Sequence, residues 1–156
     1  MDTGNYIEQL YERNVERMYK ICYIFFKGNK SDIEDAIQSI FIKIIEKGIT
    51  FENVDHEKAW FIVATNNYCK NKVKHWWNKN KELDFDVKEE IKKDETLEKV
   101  LNLPDKYKTS IYMHYYEGYS CIEIAKLLHS KENTIYSYLH KGRKMLKDMI
   151  EGEKNE

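Results

Sequence analysis

Proline occurs once, at Pro104, and glycine only six times in 156 residues, so chain breaks are few and helices are expected to dominate. The three cysteines, Cys22, Cys69 and Cys121, stand far apart, with no CxxC pair and no neighbouring histidines. That excludes a sequence-legible zinc site and a disulfide framework, and predicts reduced thiols acting as small buried hydrophobes. No apolar run approaches the roughly 20 residues needed to span a bilayer. The opening residues Met1–Asn14 mix charges throughout, unlike a secretory leader, so a cytoplasmic protein without membrane insertion is expected. There is no Ser/His/Asp or metal-ligand spacing and no glycine-rich phosphate loop, and the five histidines are scattered. No enzyme, cofactor or metal is predicted.

Net charge is nearly absent too, at −1, but the charges are segregated. Residues 70–81 carry five lysines and no acid, a balance of +5. Residues 82–98 hold eight acids against three lysines, giving −5. Residues 126–147 hold six basic residues against Glu132, again +5. Two basic blocks flanking an acidic one suggest two nucleic-acid contacts joined by a linker.

The periodicity predicts an all-α protein. A first helix spans about Tyr6 to Lys27 and stops at Gly28. Ser31 and Glu34 have capping-box spacing ahead of a second helix, in which Ile33, Ala36, Ile37, Ile40, Phe41, Ile44 and Ile45 form the apolar stripe. Gly48 is expected to close it. At 100° per residue, Asp35, Gln38, Ser39, Ile42 and Glu46 fall on the opposite side, where Ile42 is the one apolar member. A third helix begins near His56, takes Trp60 into the core and ends in the lysine-rich block. There Asn67, Asn71 and Lys74 share a face that brings Lys70 within reach, followed by His75, Trp76 and Trp77. Lysines attract a nucleic-acid backbone, amides bond exposed base edges, and flat rings stack on unpaired bases. Such a mixture suits a melted strand better than a duplex.

A second helical domain follows Leu103-Pro104-Asp105, and Ser120 and Glu123 form another capping box. The run EIAKLLHSKENTIYSYL has helix-turn-helix spacing: Ala125 is small at the crossing, and Ile135 and Leu139 pack back. Ser130 is expected to cap the second helix. Its exposed start then presents Lys131, Glu132, Asn133, Thr134, Tyr136 and Ser137 to a major groove, with Tyr138, Lys141 and Arg143 placed for phosphates.

The segment LPDKYKTSIYMHYYEGYSCIEIAKLLHSKENTIYSYLHKGRKML resembles the C-terminal domain of extracytoplasmic-function (ECF) sigma factors of the sigma-70 family. Leu103-Pro104, Glu117-Gly118, Glu123-Ile124-Ala125, Thr134-Ile135, Ser137 and Arg143 stand where that pattern places them. His129 replaces its usual turn glycine and Gly142 an alanine. Asp32-Ile-Glu-Asp35-Ala-Ile-Gln38-Ser-Ile-Phe41 is similar to the family's polymerase-binding helix. Lys58-Ala59-Trp60-Phe61 with Ala64, Asn67, Asn71 and Lys74 is similar to its promoter-melting helix.

The resemblance implies a sigma factor with two small helical domains on a flexible linker. These are a helical bundle over 1–77 (core binding, −10 recognition and melting), an acidic linker over 78–98 and a helix-turn-helix domain over 99–156 (−35 recognition). It further implies docking of Asp35, Gln38, Ser39 and Ile42 on the clamp helices of the largest subunit of core RNA polymerase, a flap contact, and an anti-sigma protein. A loop over Ile49–Asp55 is expected to hold a flipped −10 base, with Thr50, Phe51, Glu52 and Asn53 as candidates. Promoter contacts are then Thr50, Phe51, Asn53, Asn67, Lys70, Asn71, Lys74, Trp76 and Trp77 at −10, and the recognition-helix set at −35. The acidic linker is either a nucleic-acid mimic in the polymerase channel or a solvated tether. The rival reading is a helix-turn-helix regulator that needs no core polymerase, which leaves the matches of the first half unexplained.

Overall fold

The computed structural model describes residues 3–78 and 95–154; the expected acidic linker lies mostly outside the described residues. The chain divides into two compact units, Met1–Glu89 and Glu90–Glu156. The described residues form seven helices and no strand, so the protein is all-α as expected.

In the first unit, α1 (Thr3–Phe26) packs on both α2 (Lys30–Lys47) and α3 (Val54–Asn78). It ends because Lys27 and Gly28 turn into positive φ, at 53° and 77°, and the Gly28 N–H donates back to the Tyr23 carbonyl at 3.2 Å. The cap of α2 differs from expectation: Asn29, not Ser31, holds the helix start, its side chain accepting from the Asp32 N–H at 3.1 Å. Asn caps as well as Ser does, and Asn29 already has the extended backbone a cap requires. Gly48 closes α2 in the left-handed conformation, as expected. Ile33, Ala36, Ile37, Ile40, Phe41 and Ile44 are buried together, but Ile45 is 54% exposed. The stripe centres on Ile33, Ile40 and Ile44, and one residue of rotation carries Ile45 about 100° off it. On α3, Ile62, Asn66, Cys69, Val73 and Trp76 recur at steps of three and four and face the core. Cys22 and Cys69 meet there as thiols, Sγ to Sγ 3.7 Å.

In the second unit α5 (Asp105–Tyr115) is central, with Tyr107–Met113 buried on every side by α4 (Glu95–Leu101), α6 (Cys121–Leu127) and α7 (Glu132–Lys154). Lys108 is buried and reaches Asp105 at 2.9 Å. The Ser120–Glu123 capping box opens α6 as expected, both reciprocal bonds being present. Ile124 and Ala125 bury against α7, which supplies Ile135 and Leu139 to the core. Ser130 does not cap α7: its hydroxyl faces back to the Leu128 carbonyl at 3.4 Å, and the Lys131 carbonyl takes the first N–H groups, from Thr134 and Ile135. The turn consumes Ser130, whose own N–H closes on Ala125 at 2.9 Å.

Two family departures gain a physical reading. His129 has φ 53°, the conformation a turn glycine adopts without strain. Gly142 is a close-approach residue: a Cβ there meets Ile111 Cγ1 at 2.8 Å and Cδ1 at 2.9 Å. Its helix-propensity cost is therefore offset by tight packing of α7 on α5. His129→Gly is expected to raise stability by about 1 kcal/mol. Gly142→Ala is expected to lower it, because overpacking of about 1–3 kcal/mol outweighs the gain in propensity. Urea midpoints of the two variants should move in opposite directions.

Candidate nucleic-acid and partner interfaces

The outward side of α3 follows from its core stripe. Asn67, Asn71 and Lys74 are exposed on one face, and Asn78 continues their spacing one turn further. The sequence reading missed Asn78, although the step of four from Lys74 could have found it. Lys70 is half-buried at the flank of this face, and burial pulls its ammonium below lysine's ordinary pKa. Trp76 corrects the sequence reading. It is 4% exposed and packs on Phe26 with ring centroids 5.2 Å apart, so it holds α3 to α1 and offers no ring to a base. Spacing from Cys69 and Val73 puts it in the core phase, whatever the charge around it. The Trp77 side chain lies outside the described residues.

The loop before α3 is tied at both ends. Ile49 donates to the Ile44 carbonyl at 3.1 Å, and its own carbonyl accepts from the Tyr6 hydroxyl at 3.2 Å. At the far end Asn53 acts as the cap of α3, its side-chain oxygen taking the His56 N–H at 2.8 Å. Asn53 is thus committed to the helix start through its side-chain oxygen, and the cap makes no use of its amide nitrogen. Phe51 turns inward onto Trp60 and Phe61, at 5.5 and 5.8 Å. Thr50, Glu52 and Asn53 are the exposed members.

Beneath this loop sits a network with no local sequence signature. Glu57, 7% exposed, takes a bidentate pair from Arg13, with Nη2 at 2.8 Å and Nε at 3.0 Å, plus the Asn14 amide at 3.1 Å. Arg17 braces Asn14 at 2.6 Å. The Arg13 bonds, against an opposing desolvation, hold the Glu57 carboxyl below its usual pKa. A depressed folded-state value means the contribution to stability is complete above the unfolded carboxylate pKa and is lost as pH falls through the folded one. Glu57→Gln is expected to lose about 1–2 kcal/mol at pH 7, allowing for solvent around Arg13. The difference from wild type should shrink in acid, read as urea midpoints at pH 7 and pH 3.

On α2, Asp35, Gln38, Ser39 and Ile42 are all exposed, and Ile45 joins them. Ile42 is 51% exposed, so two isoleucines one turn apart stand open in a polar surround. Ser39 donates to the Asp35 carbonyl at 2.7 Å and lies 3.5 Å from the Tyr68 hydroxyl of α3.

On α7, Lys131, Glu132 and Asn133 are exposed at the helix start, Tyr136 is 67% exposed, and Lys141 is exposed further along. Thr134 and Ser137 are half-buried. One expected contact is placed elsewhere. Tyr138 packs edge-on against Tyr107 at 5.6 Å, on the core side. Arg143 donates to the Tyr115 hydroxyl at 2.6 Å and lines a groove of about 750 Å³ with Val100, Ile111, Leu146 and Ile150. Helix phase turns Tyr138 inward, because the outward line runs Asn133, Ser137, His140, Lys144, whereas Arg143 stays exposed one heptad on from Tyr136. His140 and Lys144, both exposed, were missed although this heptad spacing carries them.

Two family models match the chain. One described as sigma-70 region 2 covers residues 10–78, and one described as sigma-70, region 4 covers residues 93–146. The chain is also similar to the ECF RNA polymerase sigma factor SigW of Bacillus subtilis (strain 168). The two are 24% identical over 162 residues, spanning 86% of this chain and 83% of the relative. SigX of the same organism, likewise named an ECF RNA polymerase sigma factor, is 23% identical over 91% of this chain and 82% of its own. RNA polymerase sigma factor SigV, also from that organism, is 26% identical over 86% and 85%.

Proposed function

This chain belongs to the ECF group of the sigma-70 family and is an RNA polymerase sigma factor, and from that premise we propose how its surfaces divide the work. The first unit docks on the clamp helices of the largest polymerase subunit through Asp35, Gln38, Ser39, Ile42 and Ile45. It engages the −10 element through the loop with Thr50 and Glu52 and through Asn67, Lys70, Asn71, Lys74 and Asn78. The second unit reads the −35 element with Lys131–Thr134, Tyr136 and Ser137, while Lys141, His140 and Lys144 meet phosphates. Its groove of apolar side chains rimmed by Arg143, Lys147 and Glu151 suits an apolar segment of the polymerase flap. Residues 1–77 form the first domain and 78–94 link it to a second over 95–156. We count α4 from Glu95 with that second domain, because Leu97 and Val100 are buried. Such a protein works in the cytoplasm, and an anti-sigma protein acts by covering the polymerase-docking surfaces. No helix among the described residues is long and apolar enough to cross a membrane.

The observation that carries this reading is the open Ile42–Ile45 pair within the polar face of α2. A regulator working alone needs the helix-turn-helix but has no use for such a patch; an interface needs an apolar anchor inside a polar rim. The triple variant Asp35→Ala/Ile42→Ala/Ile45→Ala is expected to weaken core binding by about 30-fold or more, a hot-spot loss of about 2 kcal/mol. Its helicity and unfolding midpoint should hold, since all three side chains are exposed. Wild-type affinity for core in this variant would remove α2 from the interface.

A further inference from the structure

The contact between Glu52 and His56 has no counterpart in a standard helix start. In a capping box the third residue of the helix is Glu or Gln, and its side chain reaches back to the cap's own N–H. Here Asn53 caps α3 and the third residue is His56. Its Nδ1 accepts the N–H of Glu52, one residue before the cap, at 3.2 Å. The return bond is made as well, from the His56 N–H to the Asn53 side chain at 2.8 Å. The imidazole also stands edge-on to the Phe51 ring, centroids 5.5 Å apart and planes at 80°. One side chain therefore fixes the Glu52 peptide and one wall of Phe51.

The remainder of the loop is held from elsewhere: Ile49 by Tyr6 and by the end of α2, and Phe51 by Trp60 and Phe61. Among the exposed side chains, Thr50 and Glu52 project from a backbone whose far half is set by His56, while Asn53 caps α3. Moving the Glu52 peptide redirects both the Glu52 side chain and the edge of Phe51.

We propose that His56 is a positioning residue for base selection at the −10 element, acting through the Glu52 N–H and the Phe51 ring rather than by touching DNA. This rests on the reading of the Thr50–Asn53 loop as the holder of an unpaired −10 base. Glutamine at 56 keeps an acceptor at the third helix position; leucine keeps bulk and removes the acceptor.

The test uses holoenzyme assembled from core polymerase and the full chain carrying His56→Leu, His56→Gln or the pair Thr50→Ala/Glu52→Ala. Open-complex formation is measured on promoters varied at each −10 position with one fixed −35 element. The leucine variant should lose about fivefold of its discrimination at a −10 position, as expected for one lost hydrogen bond. Core affinity and −35 preference should stay at wild-type levels, and glutamine should restore the discrimination. Wild-type discrimination in His56→Leu, with the Thr50/Glu52 variant impaired, overturns the role of His56 and leaves the loop reading standing. Wild-type discrimination in both removes the loop reading and the proposal with it. A loss in His56→Leu spread over core affinity and both elements, or one that glutamine does not repair, reduces His56 to a general stabiliser.

Discussion

Trp76→Ala is expected to cost the first unit about 3–5 kcal/mol, the range for deleting a buried aromatic side chain. Trp76 is almost completely enclosed and packs on Phe26, which is itself buried at the end of α1. Its loss opens a void where the ends of α1 and α3 close on each other. Small domains have only about 5–15 kcal/mol to lose, so the unfolding midpoint should fall steeply. Trp76→Phe should keep part of the ring contact and lose much less. If Trp76 instead stacked on DNA, alanine would leave the urea midpoint where it was and impair only promoter opening. Far-UV circular dichroism through a urea titration separates the two.

Trp76 also marks where sequence patterns misled. Its neighbours are lysines and a second tryptophan, a composition that suggests a nucleic-acid surface. Helix phase, counted from Ile62, Cys69 and Val73, carried the better information. Phase likewise placed Ile45 and Tyr138 away from where type and family pattern put them, and it carries Asn78, His140 and Lys144 into the candidate surfaces. What was legible was local and periodic: the α2 stripe, Gly48 as a stop, the Ser120–Glu123 box, and the α6–α7 pair. What was not legible depends on partners distant in sequence. Arg13 and Glu57 stand 44 positions apart, and nothing around either announces the pairing. Gly142 looked like a weak helix residue until Ile111 of α5 was seen against it. Caps fell between these cases, because Asn29 and Ser31 are both good capping residues and only backbone conformation chooses.

The second large effect concerns opening. Asn67 and Asn71 are exposed one turn apart on α3, with Lys74 and Asn78 continuing the face and the buried stripe behind them. Neither asparagine is needed for the core, so Asn67→Ala/Asn71→Ala should fold and bind core polymerase as wild type does. Alanine removes amides that can bond base edges, and the Watson–Crick edges are free only after the strands part. Two bonds of about 1 kcal/mol each correspond to a loss of tenfold or more in opening. Phosphate attraction by Lys70 and Lys74 remains, which keeps the closed complex.

The most direct measurement compares one reconstituted holoenzyme on two templates, a duplex promoter and the same promoter with a pre-melted −10 bubble. With Asn67→Ala/Asn71→Ala, duplex transcription should drop by about tenfold or more while closed complexes still form, and the bubble should restore most of the output. Equal losses on both templates, with core binding intact, would contradict a melting role for α3.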